Sequence, residues 1–496
     1  MQLAFCFLAR HGSPVVAALW VTALAWACTS ITGLAQAQTA GPASAAQAAL
    51  PAEVEAALAR AKLPRDALAV MVVDAQPVGR VVPRLAHRAQ VPVNPASVMK
   101  LVTTYAALEQ LGPAYTWNTP VYLQGTVQDG SLRGNVYIEG RGDPKLVVER
   151  LWMLMRRLRA LGIEVIFGDI VLDRSAFDVP EQDPARFDGE PLRPYNAAPD
   201  ALLLNYKSSV MTFVPDPAAG LARIHYDLPL AGVQRPGTVA LAASGAECGD
   251  WRAALRAELT DPARVVFQGV YPAACGERVW PVAAPDPRGF AARAVEGMWR
   301  ELGGKLTGSV RDGKVPQGLK PALVFTSPTL AEVVRDVNKF SNNVMAQQVF
   351  LTLALQKNGV ATLDGARDVL RQWWLARLGD AELPLADNGS GLSRDARLTA
   401  QALARMLQVA WASPVMPELV ASLPISGVDG TLRRSQSRVG TAHLKTGSLR
   451  DVMAIAGYVH GASGRRYALV AVVNHPAAGA ARPVLDSLVD WAYRDQ

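Results

Sequence analysis

Residues 67–74 (ALAVMVVD) form an apolar run of strand length near the start of the chain, and two further β-rich runs, 452–460 and 467–475, stand at its far end. Runs this apolar need partners on their edges and cover on their faces, so they constrain the fold more than any other feature. Gly461-Ala462-Ser463-Gly464 joins the last two, which read as an antiparallel hairpin. At the other end the Gln76-Pro77-Val78-Gly79 turn leads into a second strand at 81–87. Helical spacing flanks both ends: 51–63 puts Val54, Leu58 and Leu63 roughly on one face, and 483–493 does the same with Val484, Leu488 and Trp491. The expectation is one helix-flanked α/β sheet assembled from the two ends of the chain.

Between those ends the texture changes. Short β-like runs at 121–124, 135–139, 163–172, 223–226 and 265–268 are punctuated by Gly and Pro, and 179–199 is a Pro-rich loop ordered by packing. The stretch from 115 to 310 therefore reads as inserted β-rich structure without a fixed-period repeat.

Half of the 496 residues are hydrophobic and 19% are charged, which excludes a disordered or fibrous class and leaves room for two or three domains. The net charge of +7 comes mostly from scattered Arg. No Lys/Arg run with interleaved aromatics points to nucleic acid, while weak attraction to an anionic wall polymer is compatible with the excess. The histidines show no HxxxH or HExxH spacing and no phosphate-binding loop is present, so neither a metal nor another cofactor is expected.

The N-terminus reads as a secretory signal over residues 1–37. Arg10 and His11 precede the apolar stretch 14–27, and Ala35-Gln36-Ala37 is a small-residue cleavage pattern. A retained anchor is the rival reading, because the apolar stretch approaches spanning length. A lipid on Cys28 is disfavoured by Trp26. With Cys6 and Cys28 in the leader, Cys248 and Cys275 remain, and an even pair in an exported chain reads as one disulfide.

Chemistry concentrates at three places. In Asn94-Pro95-Ala96-Ser97-Val98-Met99-Lys100, Asn94 can cap a helix, Pro95 suits its first position, and Leu101, Tyr105 and Leu108 supply a buried face. Ser97 then sits in the first turn, where its N–H is free to face an oxyanion, and Lys100 lies one turn on along the same face. A serine hydroxyl needs a base, and a lysine can serve if burial and a second cation lower its pKa. The second place is Ser341-Asn342-Asn343, and the third is Lys445-Thr446-Gly447 with Ser448, leading into the strand at 452. There the glycine allows close backbone approach and Lys445 offers a cation to a carboxylate. His443 shares a strand face with Lys445 and reads as a packing residue. Asp387-Asn388-Gly389-Ser390-Gly391 reads as a tight loop acting on the site only indirectly.

In the order SxxK, SxN, KTG, these motifs resemble those of the low-molecular-mass class C penicillin-binding proteins, the D-alanyl-D-alanine carboxypeptidase/endopeptidase type 4 family. Gly140-Arg141-Gly142-Asp143-Pro144, Asp173-Arg174-Ser175-Ala176-Phe177 and Asp387 to Ser393 are also family-like, as is a gap between Ser97 and Ser341 far longer than in β-lactamases. The likeness runs from about residue 50 to the C-terminus and is weakest between 215 and 290. It implies a penicillin-binding, serine β-lactamase-like transpeptidase fold, with the peptidase domain at 38–114 and 311–496. The inserted β-rich region at 115–310 then holds two domains, one nested in the other. The implied activity is that of a periplasmic serine D,D-peptidase acting through an acyl-enzyme on peptidoglycan stem peptides, as carboxypeptidase, endopeptidase or both, inhibited covalently by β-lactams. No nucleic-acid partner and no stable membrane insertion after signal cleavage are implied.

The resemblance also assigns roles. Ser97 is the nucleophile, Lys100 its base, Ser341 a proton relay to the leaving amine, and Asn343 a holder of the substrate amide. Lys445 and Thr446, beside Gly447, bind the terminal carboxylate, and the N–H groups of Ser97 and Ser448 form the oxyanion hole. Asp173, Phe177, Arg394 and Arg450 match positions that line a pocket for the peptide's diamino-acid side chain. Two alternatives stand beside this: a catalytically weak wall-binding protein on the same fold, and a serine β-lactamase or esterase. Keeping Ser97, Lys100, Ser341, Asn343 and Lys445 together disfavours the first, and Ser341 where esterases and class C β-lactamases carry tyrosine disfavours the second.

Overall fold

The computed structural model describes residues 49–76, 82–380 and 382–495. The leader read at 1–37, with Cys6 and Cys28, and Pro77, Val78 and Gly79 of the predicted turn lie outside the described residues.

Strand Leu68–Asp74 sends Leu68, Val70 and Val72 into one apolar layer and Ala69, Met71 and Val73 into the other. Both faces are covered, which is why the run is apolar without alternation. It lies inside a five-stranded antiparallel sheet ordered Ala442–Leu449, Val452–His460, Arg466–Asn474, Leu68–Asp74, Leu85–His87. The two ends of the chain thus meet as expected, with Leu68 opposite Val473 and Asp74 opposite Tyr467. Helices Ala52–Arg60 and Arg482–Tyr493 cover one face. Helices Lys100–Leu111, Leu330–Phe340, Asn343–Asn358, Leu363–Leu378 and Ala400–Trp411 cover the other. Strand Ala442–Leu449 is an edge of this sheet; its outer side is bonded to Pro424 and Ser426 as far as Leu444, and the stretch from Lys445 onward has no strand partner there.

The middle of the chain is less purely β than its Gly/Pro punctuation suggests. It carries two twelve-residue helices, Val148–Arg159 and Phe290–Glu301, packed on a seven-stranded mixed sheet. In the first of them Leu151, Leu154, Met155 and Leu158 make the buried stripe at helical spacing. The run read at 163–172 breaks into Val165–Ile166 and Ile170–Asp173 around Gly168, where a Cβ would strike the Gly134 carbonyl. Strand Pro321–Thr329, beyond residue 310, pairs with Thr116–Gln128 in the same sheet. A separate four-stranded sheet runs Arg278–Ala283, Ser208–Asp216, Leu221–Tyr226, Thr238–Ala240. Among the described residues no helix is long and apolar enough to cross a membrane.

Cys248 and Cys275 are bonded, as expected from their pairing, with their Cα atoms 4.7 Å apart across 27 residues. The bridge lies against the small core of the four-stranded sheet, where Phe213 stacks on Tyr271 and meets Trp251 edge-on. Closing a loop of this size stabilises by about 3.5 kcal/mol in the chain-entropy model, which this small core needs more than the large one does. The paired variant Cys248→Ser/Cys275→Ser is expected to melt in an early calorimetric transition that reductant reproduces in the unaltered protein. Identical melting curves with and without reductant would contradict it.

Candidate active site

Ser97 is half-buried in the single turn Ala96–Met99, which runs into helix Lys100–Leu111. Asn94 does not cap that helix. Its Oδ1 accepts from the Ala96 N–H at 2.9 Å, only two residues on, and its Nδ2 donates to the Ser393 carbonyl at 2.9 Å. Its backbone exchanges bonds of 2.8 and 3.0 Å with the side chain of Asn474, so a distant strand end decides the geometry of this turn. Ala96 is left-handed at φ 46°, a strained position for a residue with a Cβ, and full burial holds it there. Gly391 packs so closely on the Ala96 carbonyl that any side chain at 391 would displace the turn.

Lys100 is wholly buried. Its Nζ lies 2.9 Å from Ser97 Oγ, 2.6 Å from Asn343 Oδ1 and 2.6 Å from the Ser390 carbonyl oxygen. Burial first, and the charge of Lys445 second, hold the amine well below the usual lysine value. A neutral amine has two N–H bonds and one lone pair. In that form the two carbonyl-type oxygens would take the N–H bonds and the lone pair would be left for the Ser97 hydroxyl. The loop at 387–393 therefore acts on the site directly through Ser390, not indirectly as its glycines suggested. Thr103 Oγ1 donates to the Gly389 carbonyl at 2.7 Å and Asn388 Nδ2 to that of Leu392 at 2.9 Å, fixing the loop.

Ser341 and Asn343 occupy the joint between two helices. Thr329 and Glu332 form a capping box at the start of Leu330–Phe340, and that helix ends at Ser341 in a left-handed conformation, φ 57°. Asn342 then caps Asn343–Asn358 by accepting from the Met345 N–H at 3.1 Å. The reversal aims Ser341 Oγ at Lys445 Nζ, 2.8 Å away, and lets the Asn343 carboxamide reach Lys100 with its oxygen and the Tyr195 carbonyl, 3.0 Å off, with its Nδ2.

Lys445 is also wholly buried, donates to Ser341 Oγ and to the Thr446 carbonyl at 2.7 Å, and is pushed down to about 7 by burial. Gly447 crosses the nucleophile's turn so closely that a Cβ would lie 2.8 Å from the Pro95 oxygen and 3.1 Å from the Ser97 nitrogen. Thr446 Oγ1 lies 2.7 Å from Thr431 Oγ1, and Ser448 is exposed. The structure thus brings Ser97, Lys100, Ser341, Asn343 and Lys445 together from three distant stretches, with the open strand edge alongside.

The four side-chain-pocket positions fare differently. Asp173 is buried, its two carboxylate oxygens accepting from the Ser175 N–H at 2.9 Å and the Val315 N–H at 2.8 Å, so it works as a turn carboxylate. Phe177 belongs to the core, its ring against Gly142. Arg394 and Arg450 are exposed. Arg394 pairs with Asp451 at 2.9 Å and lies over the Phe187 ring at 4.6 Å. The Pro-rich loop that carries Phe187 and Tyr195 therefore reaches the site, which its composition did not reveal. Asp188 orders it, accepting from Tyr195 Oη and Asn196 Nδ2, both at 2.8 Å, and from the Glu190 N–H at 3.1 Å. His443 packs as read, with Nδ1 3.3 Å from the Val420 carbonyl, and burial lowers its pKa.

The family model for the D-Ala-D-Ala carboxypeptidase 3 (S13) family matches residues 50–494. The chain belongs to this family. Among its curated relatives is the D-alanyl-D-alanine carboxypeptidase of Actinomadura sp., 29% identical over 420 residues, which are 78% of this chain and 74% of the relative. D-alanyl-D-alanine carboxypeptidase DacB of Haemophilus influenzae is 25% identical over 398 residues, 77% and 81% of the two chains. The crystal structure of penicillin binding protein 4 (dacB) from Haemophilus influenzae superposes with a TM-score of 0.69 at 22% identity, covering 88% of this chain and 99% of that one. The likeness carries the fold, a helix-flanked sheet with additional β domains. This S13 chain is a serine-type hydrolase of the D-Ala-D-Ala carboxypeptidase class.

Proposed function

We propose that Ser97 is the nucleophile with which this S13 peptidase cleaves D-alanyl bonds of peptidoglycan stem peptides, in the periplasm after loss of the leader. The observation that carries the reading is the hydrogen-bond inventory of Lys100: both N–H bonds of a neutral amine have acceptors, and its lone pair faces Ser97. Ser97 Oγ attacks the carbonyl of the penultimate D-alanine while Lys100 takes its proton. The oxyanion forms against the N–H groups of Ser97 and Ser448. Ser341, held between Lys445 and the cleft, passes a proton to the departing amine, and water then releases the acyl group from Ser97. Lys445 and Thr446 hold the terminal carboxylate, and Asn343 steadies the substrate amide. A β-lactam, whose amide resembles the scissile bond, enters the same path. In this reading Arg394 and Arg450 flank the entry used by the peptide's side chain, and Asp173 and Phe177 are the two further positions that the resemblance assigns to it. In this reading the cystine-bonded four-stranded sheet is a unit nested within the inserted region.

D-Alanine release from a pentapeptide ending in D-Ala-D-Ala, followed across pH, tests the assignment. Lys100 must be neutral, so activity rises with pH through its lowered pKa. Lys445 must be cationic; its charge is present below about 7 and is lost as pH rises through that value. The free-enzyme kcat/KM should therefore be bell-shaped for the carboxylate peptide and keep only its acid limb for an ester of an uncharged alcohol. Bell shapes with the same alkaline limb for both substrates would remove Lys445 from carboxylate binding.

A further inference from the structure

Strand Ala442–Leu449 leaves one edge free, and part of that edge is taken by the segment before and including Thr431. The Leu444 N–H donates to the Pro424 carbonyl at 2.9 Å, the Ser426 N–H donates to that of Ala442 at 2.9 Å, and Ile425 bridges His443. The segment then turns at Asp429-Gly430 and sets Thr431 Oγ1 2.7 Å from Thr446 Oγ1. No residue of the segment from Pro424 to Thr431 belongs to the three motifs.

Asp429 anchors the turn with both oxygens. One accepts from the Ile425 N–H at 2.8 Å and the other from Lys339 Nζ at 2.6 Å. Lys339, only 4% exposed, also donates to the Leu423 carbonyl at 2.6 Å. Gly430, at φ 53°, passes over the end of the same helix, where a Cβ would lie 2.6 Å from the Lys339 carbonyl oxygen. Two residues after Lys339 comes Ser341, which accepts from Lys445. Lys339, Asp429, Thr431, Thr446, Lys445 and Ser341 thus close a ring of bonds that ties the second motif to the third.

A hydroxyl has one O–H to give and two lone pairs. In the structure Thr446 gives its O–H to Thr431 at 2.7 Å, and in that arrangement it would meet a carboxylate with lone pairs only, which repel. If Thr431 gives its O–H to Thr446 instead, the Thr446 oxygen stays satisfied and its own O–H is released toward the cleft. A carboxylate is acceptor-only and draws the pair into the second arrangement.

We infer that Thr431 is a positioning residue that turns the Thr446 hydroxyl into a donor for the substrate's terminal carboxylate, and so sets the preference of this site for carboxylate-ended substrates. The inference rests on Lys445 and Thr446 holding that carboxylate, as proposed above. The test compares the unaltered protein, Thr431→Val and Thr431→Ser on two substrates: a peptide with a free D-Ala-D-Ala carboxylate, and the same acyl-D-alanine as an ester of an uncharged alcohol. Thr431→Val should raise KM for the peptide about fivefold, the worth of the one neutral hydrogen bond that satisfies and orients the Thr446 oxygen, with kcat little altered. Ester hydrolysis should not follow that loss, and Thr431→Ser should recover the peptide KM because it restores the hydroxyl. Equal losses on both substrates, an unchanged peptide KM in Thr431→Val, or failure of Thr431→Ser to recover it would each overturn the inference. Failure of the underlying reading shows separately, in Lys445→Ala: if that variant keeps the normal peptide KM, the carboxylate is bound elsewhere.

Discussion

Lys100→Met lowers kcat/KM for D-alanine release by about 10²- to 10⁴-fold, the range that loss of a positioned general base produces. Methionine fills most of the lysine's buried volume, so the loss can be separated from misfolding by a single cooperative melting transition that the variant retains. Two acceptors, Asn343 Oδ1 and the Ser390 carbonyl, lose a donor in the variant, and that cost falls on stability, not on proton transfer. Lys100→Arg separates base from cation. A guanidinium stays protonated and cannot take the Ser97 proton, so arginine should be as inactive as methionine. If Lys100→Arg retained the normal rate, Lys100 would be a charge that orients substrate and the base would have to be sought elsewhere.

Much of this arrangement was legible before any coordinates. The SxxK spacing placed Ser97 and Lys100 on one helical face, and they lie 2.9 Å apart. The apolar runs at the two ends could be satisfied only by each other, and Leu68–Asp74 does pair with Arg466–Asn474. The cysteine pairing followed from number and compartment.

What escaped has common physical causes. Ser390 and Tyr195 act through backbone carbonyls, which every residue carries and no motif marks. Asn94 has the right chemistry for a helix cap, but Asn474 and Ser393, brought close only by the fold, redirect it to an Asx turn. For Asp173 and Phe177 a short local match fixes chain position and not side-chain surroundings: Asp173 is tied to the Ser175 and Val315 N–H groups, and Phe177 packs in the core and lines an open pocket beside Arg174. The helix Val148–Arg159 was readable from its leucine spacing, and the surrounding glycines and prolines obscured it. Thr431 is one of many threonines until its neighbour Thr446 is seen.

The second large effect belongs to Ser97, and it tests the whole account. Benzylpenicillin opens its strained amide on the attacking hydroxyl, and the amine it would expel remains tethered to the acyl group. That tethered group hinders the deacylating water, whereas a peptide frees the path by releasing D-alanine. The adduct should therefore outlast the peptide acyl-enzyme and survive long enough to be weighed. Ser97→Ala removes the hydroxyl that lies 2.9 Å from Lys100 Nζ, so covalent labelling and D-alanine release should both vanish while the fold persists. The decisive measurement is intact-protein mass spectrometry after benzylpenicillin treatment, with the modified residue located by peptide mapping. One whole-penicillin adduct is expected, on Ser97, and none on Ser97→Ala; an adduct on Ser97→Ala, or one mapped to any other residue in the unaltered protein, would rule out Ser97 as the nucleophile.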